Sequence, residues 1–252
     1  MERKNIKVSN FAIVATLLIS VLFAGCEPQI PENTRYYSFT IEVDDSAVTN
    51  ATVSVQTENK WYSEVTNNNG KCEILIPNEV NLPEFLIVTV NHNSIRPRAF
   101  SVSGAVDSEA HKIIPCSKAP SRVLVKGVNL HHLGNDLYGG AANSQHQLPT
   151  EGVQKSYNFQ LSNIPSTMPR FQIYARGIQH PTKIKINGIR VSSLGNSASN
   201  GDLGRYDFQL NGISNSLLRL GNNVLTIETG DSDNSSDPWD DIEFCSMLLY
   251  YP

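Results

Sequence analysis

Apolar and polar residues alternate in short runs along most of the chain beyond residue 35. Residues 36–43 (YYSFTIEV), 51–55 (ATVSV) and 170–176 (RFQIYAR) show the pattern clearly, and Gly- or Asn-containing turns separate such runs. Alternation over about four to eight residues puts successive side chains on opposite faces of a β-strand. The sequence therefore predicts an all-β protein, with further strands at residues 61–65, 72–77, 85–90, 99–102, 111–114, 122–128, 156–161, 183–186, 189–191, 205–210, 224–229 and 242–251.

The first 25 residues have the pattern of an export signal. An apolar run at residues 11–24 is shorter than a membrane-spanning helix requires. It follows three basic residues, Arg3, Lys4 and Lys7. We therefore exclude residues 1–25 from the fold.

The end of this run, residues 23–26 (FAGC), resembles the lipobox of bacterial lipoproteins, although Phe23 stands where that motif prefers leucine. The resemblance implies that Cys26 becomes the lipidated first residue. Lipid chains on Cys26 would anchor the protein in the membrane of the cell envelope, and we expect the outer membrane. Residues 26–35 would form a polar tether. The alternative is an ordinary signal peptide, with Cys26 inside the mature chain.

Composition narrows the class of protein. The chain has 252 residues, of which 40% are hydrophobic and 17% charged, and its net charge is −4. This apolar content is enough for a packed core. The slight acidity argues against a nucleic-acid partner, because binding phosphates requires clustered basic residues. A polar break with a proline at residues 117–120 predicts two domains, residues 36–117 and 121–252.

The first domain carries the motifs Asn50-Ala51-Thr52-Val53 and, at residues 66–70, TNNNG. These resemble the carboxypeptidase regulatory-like, or transthyretin-like, domains, although Cys72 replaces their usual aromatic residue. The resemblance implies a small prealbumin-like β-sandwich without catalytic residues.

The second domain contains Asn187-Gly188 and, at residues 221–227, GNNVLTI. These are similar to motifs of the galactose-binding-domain-like superfamily, which includes carbohydrate-binding modules. The resemblance implies a jelly-roll sandwich and a sugar ligand. Because the motifs are turn residues and core residues, they indicate the fold and do not identify a ligand.

Trp239 lies in a polar loop and is a candidate sugar-stacking residue, since sugar rings present apolar C–H faces to aromatic side chains. A second long loop, residues 129–150, lacks periodicity and is also a candidate binding segment. The predicted glycan-binding residues are Trp239, Asp240, Tyr138, His131 and His132. The alternatives are that Trp239 plugs one end of the sandwich and that the histidines are surface residues.

The loop around Trp239 is also strongly acidic. Crowded carboxylates repel one another unless a cation lies among them, and Ca²⁺ prefers oxygen ligands. The candidate calcium ligands are Asp231, Asp233, Asp237 and Asp241. The alternative is a solvated loop whose carboxylates cap backbone N–H groups or pair with arginine. No other cofactor is expected.

Cys72 and Cys116 would meet an oxidising environment in an exported protein, so they form a candidate disulfide. The alternative is that they are buried free thiols.

The sequence lacks the GxSxG, SxxK and HExxH motifs of nucleophilic and metal-dependent hydrolases. We therefore expect a non-catalytic, lipid-anchored protein that binds carbohydrate. The alternative is a structural or adhesin-like lipoprotein that binds an outer-membrane protein.

Overall fold

The computed structural model describes residues 33–57, 60–104, 111–135, 148–164, 167–195, 203–210, 217–231 and 238–251. Arg35–Pro252 forms one compact unit. The predicted signal peptide, Cys26 and most of the predicted tether lie outside the described residues. Within the described ranges, no helix has the length and apolar character needed to cross a membrane.

The described residues confirm the all-β prediction, since they form β-strands and no helix. The strands are β1 Thr34–Val43, β2 Ser46–Ala47, β3 Thr52–Gln56, β4 Trp61–Val65, β5 Lys71–Pro77, β6 Phe85–Asn91, β7 Arg98–Ser103, β8 His111–Cys116, β9 Arg122–Gly127, β10 His131–Leu133, β11 Gln154–Leu161, β12 Arg170–Arg176, β13 Thr182–Ile186, β14 Ile189–Leu194, β15 Gly204–Gln209, β16 Gly221–Glu228 and β17 Ile242–Tyr251.

These strands build four sheets. Sheet 1 has the order β2-β1-β5, with β8 also paired to β1, and sheet 2 has the order β4-β3-β6-β7. Sheet 3 has the order β10-β17-β12-β15, with β9 also paired to β17, and sheet 4 has the order β11-β16-β13-β14. Nearly all pairs are antiparallel, but β1 and β8 run parallel over Ser38–Val43.

Sheets 1 and 2 pack face to face around one hydrophobic core. Tyr37, Phe39 and Ile41 of β1 are buried in a single cluster with Val53 and Val55 of β3. These residues are the apolar half of each alternating run, so the pattern of period two directs them to the same interior. The outward half of β3 is polar and includes Thr52 and Ser54.

Sheets 3 and 4 form a second sandwich with its own core. Phe171 of β12 and Phe244 of β17 are buried together with Ile184 of β13 and Leu225 of β16. The burial pattern of sheet 4 alternates, as Thr182–Ile186 shows, which is expected where one face of a sheet is covered.

Two turns expected from Asn and Gly residues take the backbone conformations that those residues favour. Asn187 and Gly188 join β13 to β14 with φ values of 50° and 83°, a combination suited to a two-residue hairpin turn. Gly70 has a φ of 70° in the turn before β5. A Cβ atom at Gly70 would lie 2.7 Å from the Ile41 carbonyl oxygen, so the close approach of β1 also requires glycine.

The outer faces of sheets 2 and 3 pack against each other, which gives the molecule four β-layers. Five apolar residues are buried between them: Ile87, Ala99, Leu130, Tyr174 and Cys245. Polar contacts also cross the layer, because Gln172 Nε2 donates to the Pro97 carbonyl at 2.9 Å. Strand β17 is consequently buried along its whole length.

The predicted disulfide between Cys72 and Cys116 is absent from the structure, where both cysteines and Cys245 are free thiols. Cys72 lies on β5 and Cys116 on β8, and both strands pair with β1. Strands on opposite edges of a third strand are about 10 Å apart. That separation exceeds the Cα–Cα distance that a disulfide spans. Burial raises the pKa of the Cys72 thiol to about 12 and that of Cys116 to about 11.

Candidate functional site

The residues predicted around Trp239 do not assemble into one open site among the described residues. Trp239 is partly buried, and its backbone forms a bridge with Asp231 at the base of the acidic loop. Asp231 pairs with Lys183, whose Nζ lies 2.6 Å from Asp231 Oδ2. Tyr138, Asp233 and Asp237 lie outside the described residues.

The two predicted histidines point to different environments, as neighbours on a strand must. His131 lies against Phe244, with ring centroids 5.3 Å apart, and its Nδ1 is 2.8 Å from Glu151 Oε1. His132 is fully buried, and its Nε2 is 3.2 Å from Asp241 Oδ1. Burial lowers the pKa of His132, but Asp241, the Leu148 carbonyl and Glu243 outweigh that effect and raise it overall.

The carboxylates that lead into β17 hold neighbouring loops in place. Asp240 Oδ2 accepts hydrogen bonds from the backbone N–H groups of Gln179 and His180 at 2.8 and 2.9 Å. Asp241 Oδ1 accepts a hydrogen bond from Asn135 N at 3.2 Å. These contacts match the capping alternative. Within the part of the chain that the structure describes, no group of three acidic, His or Cys residues is placed to hold a metal ion.

Glu243 is the most deeply buried of these acids and pairs with a buried arginine. Arg176 and Glu243 are 1% and 0% exposed, and Arg176 Nε and Nη2 both donate to Glu243 Oε2, at 2.9 and 2.5 Å. Glu243 Oε1 accepts from Leu148 N at 3.0 Å. The pair therefore holds residue 148, near the end of the predicted binding loop, at the centre of sheet 3.

A different site lies on the outer face of sheet 2, around Trp61. The strand register sets three rows of outward side chains across β4, β3 and β6. The first row is Trp61–Gln56–Ile87, the second is Ser63–Ser54–Thr89, and the third is Val65–Thr52–Asn91. Sheet 3 covers the first row at Ile87 and leaves the other two rows open along most of their length.

The open rows form a cleft of about 230 Å³. Its walls are Trp61 on one side and Val128 and Asn129 of the second sandwich on the other. Its floor consists of the hydroxyl and amide side chains of Thr52, Ser54, Ser63, Thr89 and Asn91. None of the described lining residues carries a charge.

Hydrogen bonding within the cleft is incomplete. Ser63 Oγ donates to Ser54 Oγ at 2.7 Å, which fixes both hydroxyl groups. Asn91 Oδ1 is buried and has no hydrogen-bond partner among the described residues. A buried carbonyl oxygen without a donor is costly, so this atom favours a ligand or water that brings a donor.

This site was not among the sequence predictions, although the strand sequences contain one signal for it. Thr52 and Ser54 occupy the outward positions of β3, and Ser63 lies two residues after Trp61. A strand with hydroxyl groups at its outward positions beside a strand that begins with tryptophan predicts a polar face with one aromatic wall. Only the register shows that the three strands are neighbours.

Among known proteins, only solved structures are similar to this chain. The sequence matches no family model and no curated protein. Similar structures include a DUF3823 family protein from Parabacteroides merdae, with 11% identity, 88% of this chain and 98% of that chain covered, and a TM-score of 0.26.

A DUF3823 family protein from Bacteroides ovatus has 9% identity, with 86% of this chain and 95% of that chain covered, at a TM-score of 0.25. A β-porphyranase of glycoside hydrolase family 86 from Bacteroides plebeius has 13% identity, with 88% of this chain and 36% of that chain covered, at a TM-score of 0.28. Similarities at this level assign neither a family nor a ligand.

Proposed function

We propose that this protein is a non-catalytic cell-envelope protein that binds a neutral carbohydrate in the cleft at Trp61. The observation that carries the proposal is the combination of one indole wall with an uncharged floor of hydroxyl and amide groups. Sugar rings offer apolar C–H faces for stacking and hydroxyl groups for hydrogen bonds. In the cleft, the indole ring of Trp61 can stack on the C–H face, and the hydroxyl and amide groups of the floor can bind the sugar hydroxyl groups.

Trp61 packs against the protein and also lines the cleft. It is half-buried, and it packs against the buried cluster that contains Ile87 and Tyr174. A ring that is anchored on one side loses little conformational freedom when a ligand covers the other side. The cleft volume of about 230 Å³ lies below the range of about 300–1,000 Å³ that drug-sized ligands occupy. It therefore suits one sugar ring of a longer chain.

The chemistry of the lining supports binding without turnover. Glycosidases of the common types use two carboxyl groups on either side of the scissile bond. The described lining residues of the Trp61 cleft include no carboxylate, histidine or cysteine. The predicted lipid anchor at Cys26 would hold such a binding module at the cell envelope.

The expected protein-partner function has no comparable support. Its signature would be a contiguous apolar patch on the surface. Among the residues that the structure describes, the exposed large apolar side chains instead lie on separate strands and loops: Val65, Leu75, Ile113, Val123, Ile164, Ile189 and Leu220.

A glycan array followed by calorimetric titration tests the proposal. We expect the wild type to bind at least one neutral glycan and Trp61→Ala to lose that binding. Trp239→Ala is the matched control, because it removes the tryptophan of the second sandwich. Loss in Trp239→Ala with retention in Trp61→Ala would instead support the binding platform that the sequence predicts.

A smaller substitution separates loss of binding from loss of folding. Ser54→Ala removes one hydroxyl group from the floor and leaves the core of the first sandwich intact. We expect its glycan affinity to fall by about tenfold, the effect of one lost hydrogen bond. Failure of the wild type to bind any glycan would overturn the proposal.

A further inference from the structure

Four arginine side chains gather at another part of the seam between sheets 2 and 3. They are Arg96, Arg98, Arg170 and Arg205, and they come from the segment before β7, from β7 itself, from β12 and from β15. Tyr174 is the register partner of Arg205, so strand pairing places that tyrosine beside the group.

The carboxylate of Asp207 forms ion pairs with three of the four guanidinium groups. Asp207 Oδ1 accepts from Arg170 Nη2 and Nε at 2.9 and 3.2 Å, and Asp207 Oδ2 accepts from Arg205 Nη2 at 2.9 Å. Arg96 Nη1 lies 3.6 Å from the same Oδ2. Arg98 forms no ion pair with any carboxylate of the described residues. The cluster therefore holds excess positive charge, although the whole chain has a net charge of −4.

Arg98 and Arg205 both line a cleft of about 370 Å³. Tyr174, Ser101 and Leu203 are also part of its wall. Burial raises the pKa of Tyr174, and the charges of Arg205 and Arg98 oppose that rise. Both positive charges are therefore close enough to act on the phenol.

Hydrogen bonds with the protein do not use all the donors of the residues that line this cleft. Arg98 Nη1 donates to the Pro115 carbonyl at 2.5 Å, but the buried Arg98 Nε has no acceptor among the described residues. Arg205 Nη2 is shared between Asp207 and Gln172 Oε1, the latter at 3.3 Å. Ser101 Oγ accepts from Leu203 N at 3.3 Å, so its hydroxyl hydrogen is available to a ligand.

We propose that this cleft, lined by Arg98, Arg205, Ser101 and Tyr174, binds an oxyanion, either the carboxylate or the sulfate group of a small acidic ligand. Planar guanidinium groups donate paired hydrogen bonds to such oxygens, and a concave site shields the interaction from water. The bound anion would neutralise charge that Asp207 alone leaves uncompensated. The site is separate from the Trp61 cleft and does not rest on the proposed function.

Titration with sodium glucuronate and with sodium sulfate tests this site and distinguishes the two anions. Glucose is the neutral control for the first, and sodium chloride at matched ionic strength is the control for the second. The readouts are calorimetry and the Nε–Hε NMR signals of the arginines. We expect one or both anions to bind with a shift of the Arg98 signal. Absence of binding by both anions would overturn the proposal.

Variants identify the groups that bind. Arg98→Gln and Arg205→Gln are each expected to weaken anion binding by at least about tenfold. Arg190→Gln is the matched control, since Arg190 is an exposed arginine on β14 of sheet 4. Equal weakening in all three variants would show a general charge effect and overturn the site. Arg205 is about half exposed, with 46% of its side chain accessible, so its variant is expected to fold even if Arg98→Gln does not.

The glycan proposal and the anion proposal can each be contradicted without affecting the other. Trp61→Ala is expected to leave anion binding unchanged, and Arg205→Gln is expected to leave binding of a neutral glycan unchanged. Loss of anion binding in Trp61→Ala would assign the anion to the Trp61 cleft and contradict the arginine site.

Discussion

Asn223 shows how much one buried side chain organises at the residue scale. It is fully buried, and its Oδ1 accepts from Arg219 N at 2.9 Å while its Nδ2 donates to the Arg219 and Gly221 carbonyls at 2.8 and 3.0 Å. Asn187 Nδ2 also donates to Asn223 Oδ1 at 3.0 Å. The side chain therefore ties the entry of β16 to the β13–β14 turn.

We expect Asn223→Ala to lower the free energy of unfolding by about 2–4 kcal/mol, because it removes a buried side chain that makes four hydrogen bonds. Asn222→Ala is the control, since Asn222 is the exposed neighbour in the same turn. Its loss should stay below about 1 kcal/mol. Urea unfolding of both variants measures the difference, and equal losses would contradict the assigned role of Asn223.

This turn could be predicted from the sequence, but the role of each asparagine could not. The GNN motif predicts a tight turn from the conformational preferences of Gly and Asn. It cannot show which asparagine points inward, because that depends on the Asn187 turn packing beside it. The same limit applies to Trp61, which was not a predicted site residue, because most of its polar neighbours lie on β3 and β6 and are distant from it in sequence.

At the scale of the elements, the start of β17 holds the loops at one end of the second sandwich. Asp240 binds the residues after β12, Asp241 binds the segment after β10, and Glu243 binds Arg176 and residue 148. Two buried acids just before β17 and a third within it thus stand where apolar residues are more usual. Each is stabilised by donors from a different element.

Glu243→Gln is expected to destabilise the protein by about 3–5 kcal/mol, because it removes the carboxylate charge that pairs with the buried Arg176 guanidinium group. The matched control is Glu228→Gln, which removes the carboxylate of an ion pair with Lys183 and Lys185 nearer the surface. That change should cost about 1 kcal/mol or less. Chemical denaturation distinguishes them, and a Glu243→Gln loss as small as the control would refute a stabilising pair.

Asp240, just before β17, should make the stability of the protein depend on pH. Burial raises the pKa of Asp240 to about 6 from an ordinary value of 3.8, against the opposing effect of two backbone N–H donors. The native state therefore keeps a proton that the unfolded chain has already released. Stability should fall by up to about 3 kcal/mol as the pH rises from about 4 to 6. The raised pKa of His132 acts in the same direction, since its contribution is lost as pH rises above its folded pKa.

Asp240→Asn should remove the first part of this decline, because an amide does not titrate. Unfolding free energies of wild type and Asp240→Asn at pH 4, 5, 6 and 7 test the expectation. The wild type should lose stability relative to the variant between pH 4 and 6. A constant difference across that range would contradict the shifted pKa.

Periodicity located most of these elements well, and its failures have physical causes. The predicted strands at 61–65, 170–176 and 242–251 coincide with β4, β12 and β17. Strands β2 and β10 were not predicted, because two or three residues are too short to show alternation. The observed β16 begins at Gly221, three residues before the predicted start, since its pairing with β11 extends through the turn residues.

At the scale of the whole molecule, the main feature hidden from the sequence is the contact between sheets 2 and 3. Gln172 and Arg176 occupy the outward positions of β12, where polar residues normally meet solvent. Both are 1% exposed. The first sandwich covers Gln172, which donates to the Pro97 carbonyl, whereas Arg176 pairs with Glu243. The polar half of an alternating strand does not indicate whether water or another sheet lies beyond it.

Because both sandwiches lie in the compact unit Arg35–Pro252, we expect one cooperative unfolding transition in calorimetry. Ile87→Asp, within the layer between the sheets, should lower the melting temperature of the whole transition by burying an unpaired charge. Ile189→Asp is the control, because Ile189 is 53% exposed. Two separate transitions in the wild type would show that the sandwiches unfold independently.

The parallel pairing of β1 with β8 has a mechanical consequence. Traction on the chain ahead of β1 would pull that strand at its N-terminal end, while the rest of the molecule is connected through the C-terminal end of β8. In a parallel pair those two ends lie at opposite ends of the ladder, so the load acts as shear along the register Ser38–Val43 against His111–Cys116. Hydrogen bonds loaded in shear must break together, whereas peeling would break them one at a time. If Cys26 is tethered to a membrane, a pulling force on the tether therefore loads β1 in shear, the direction in which its pairing with β8 is strongest.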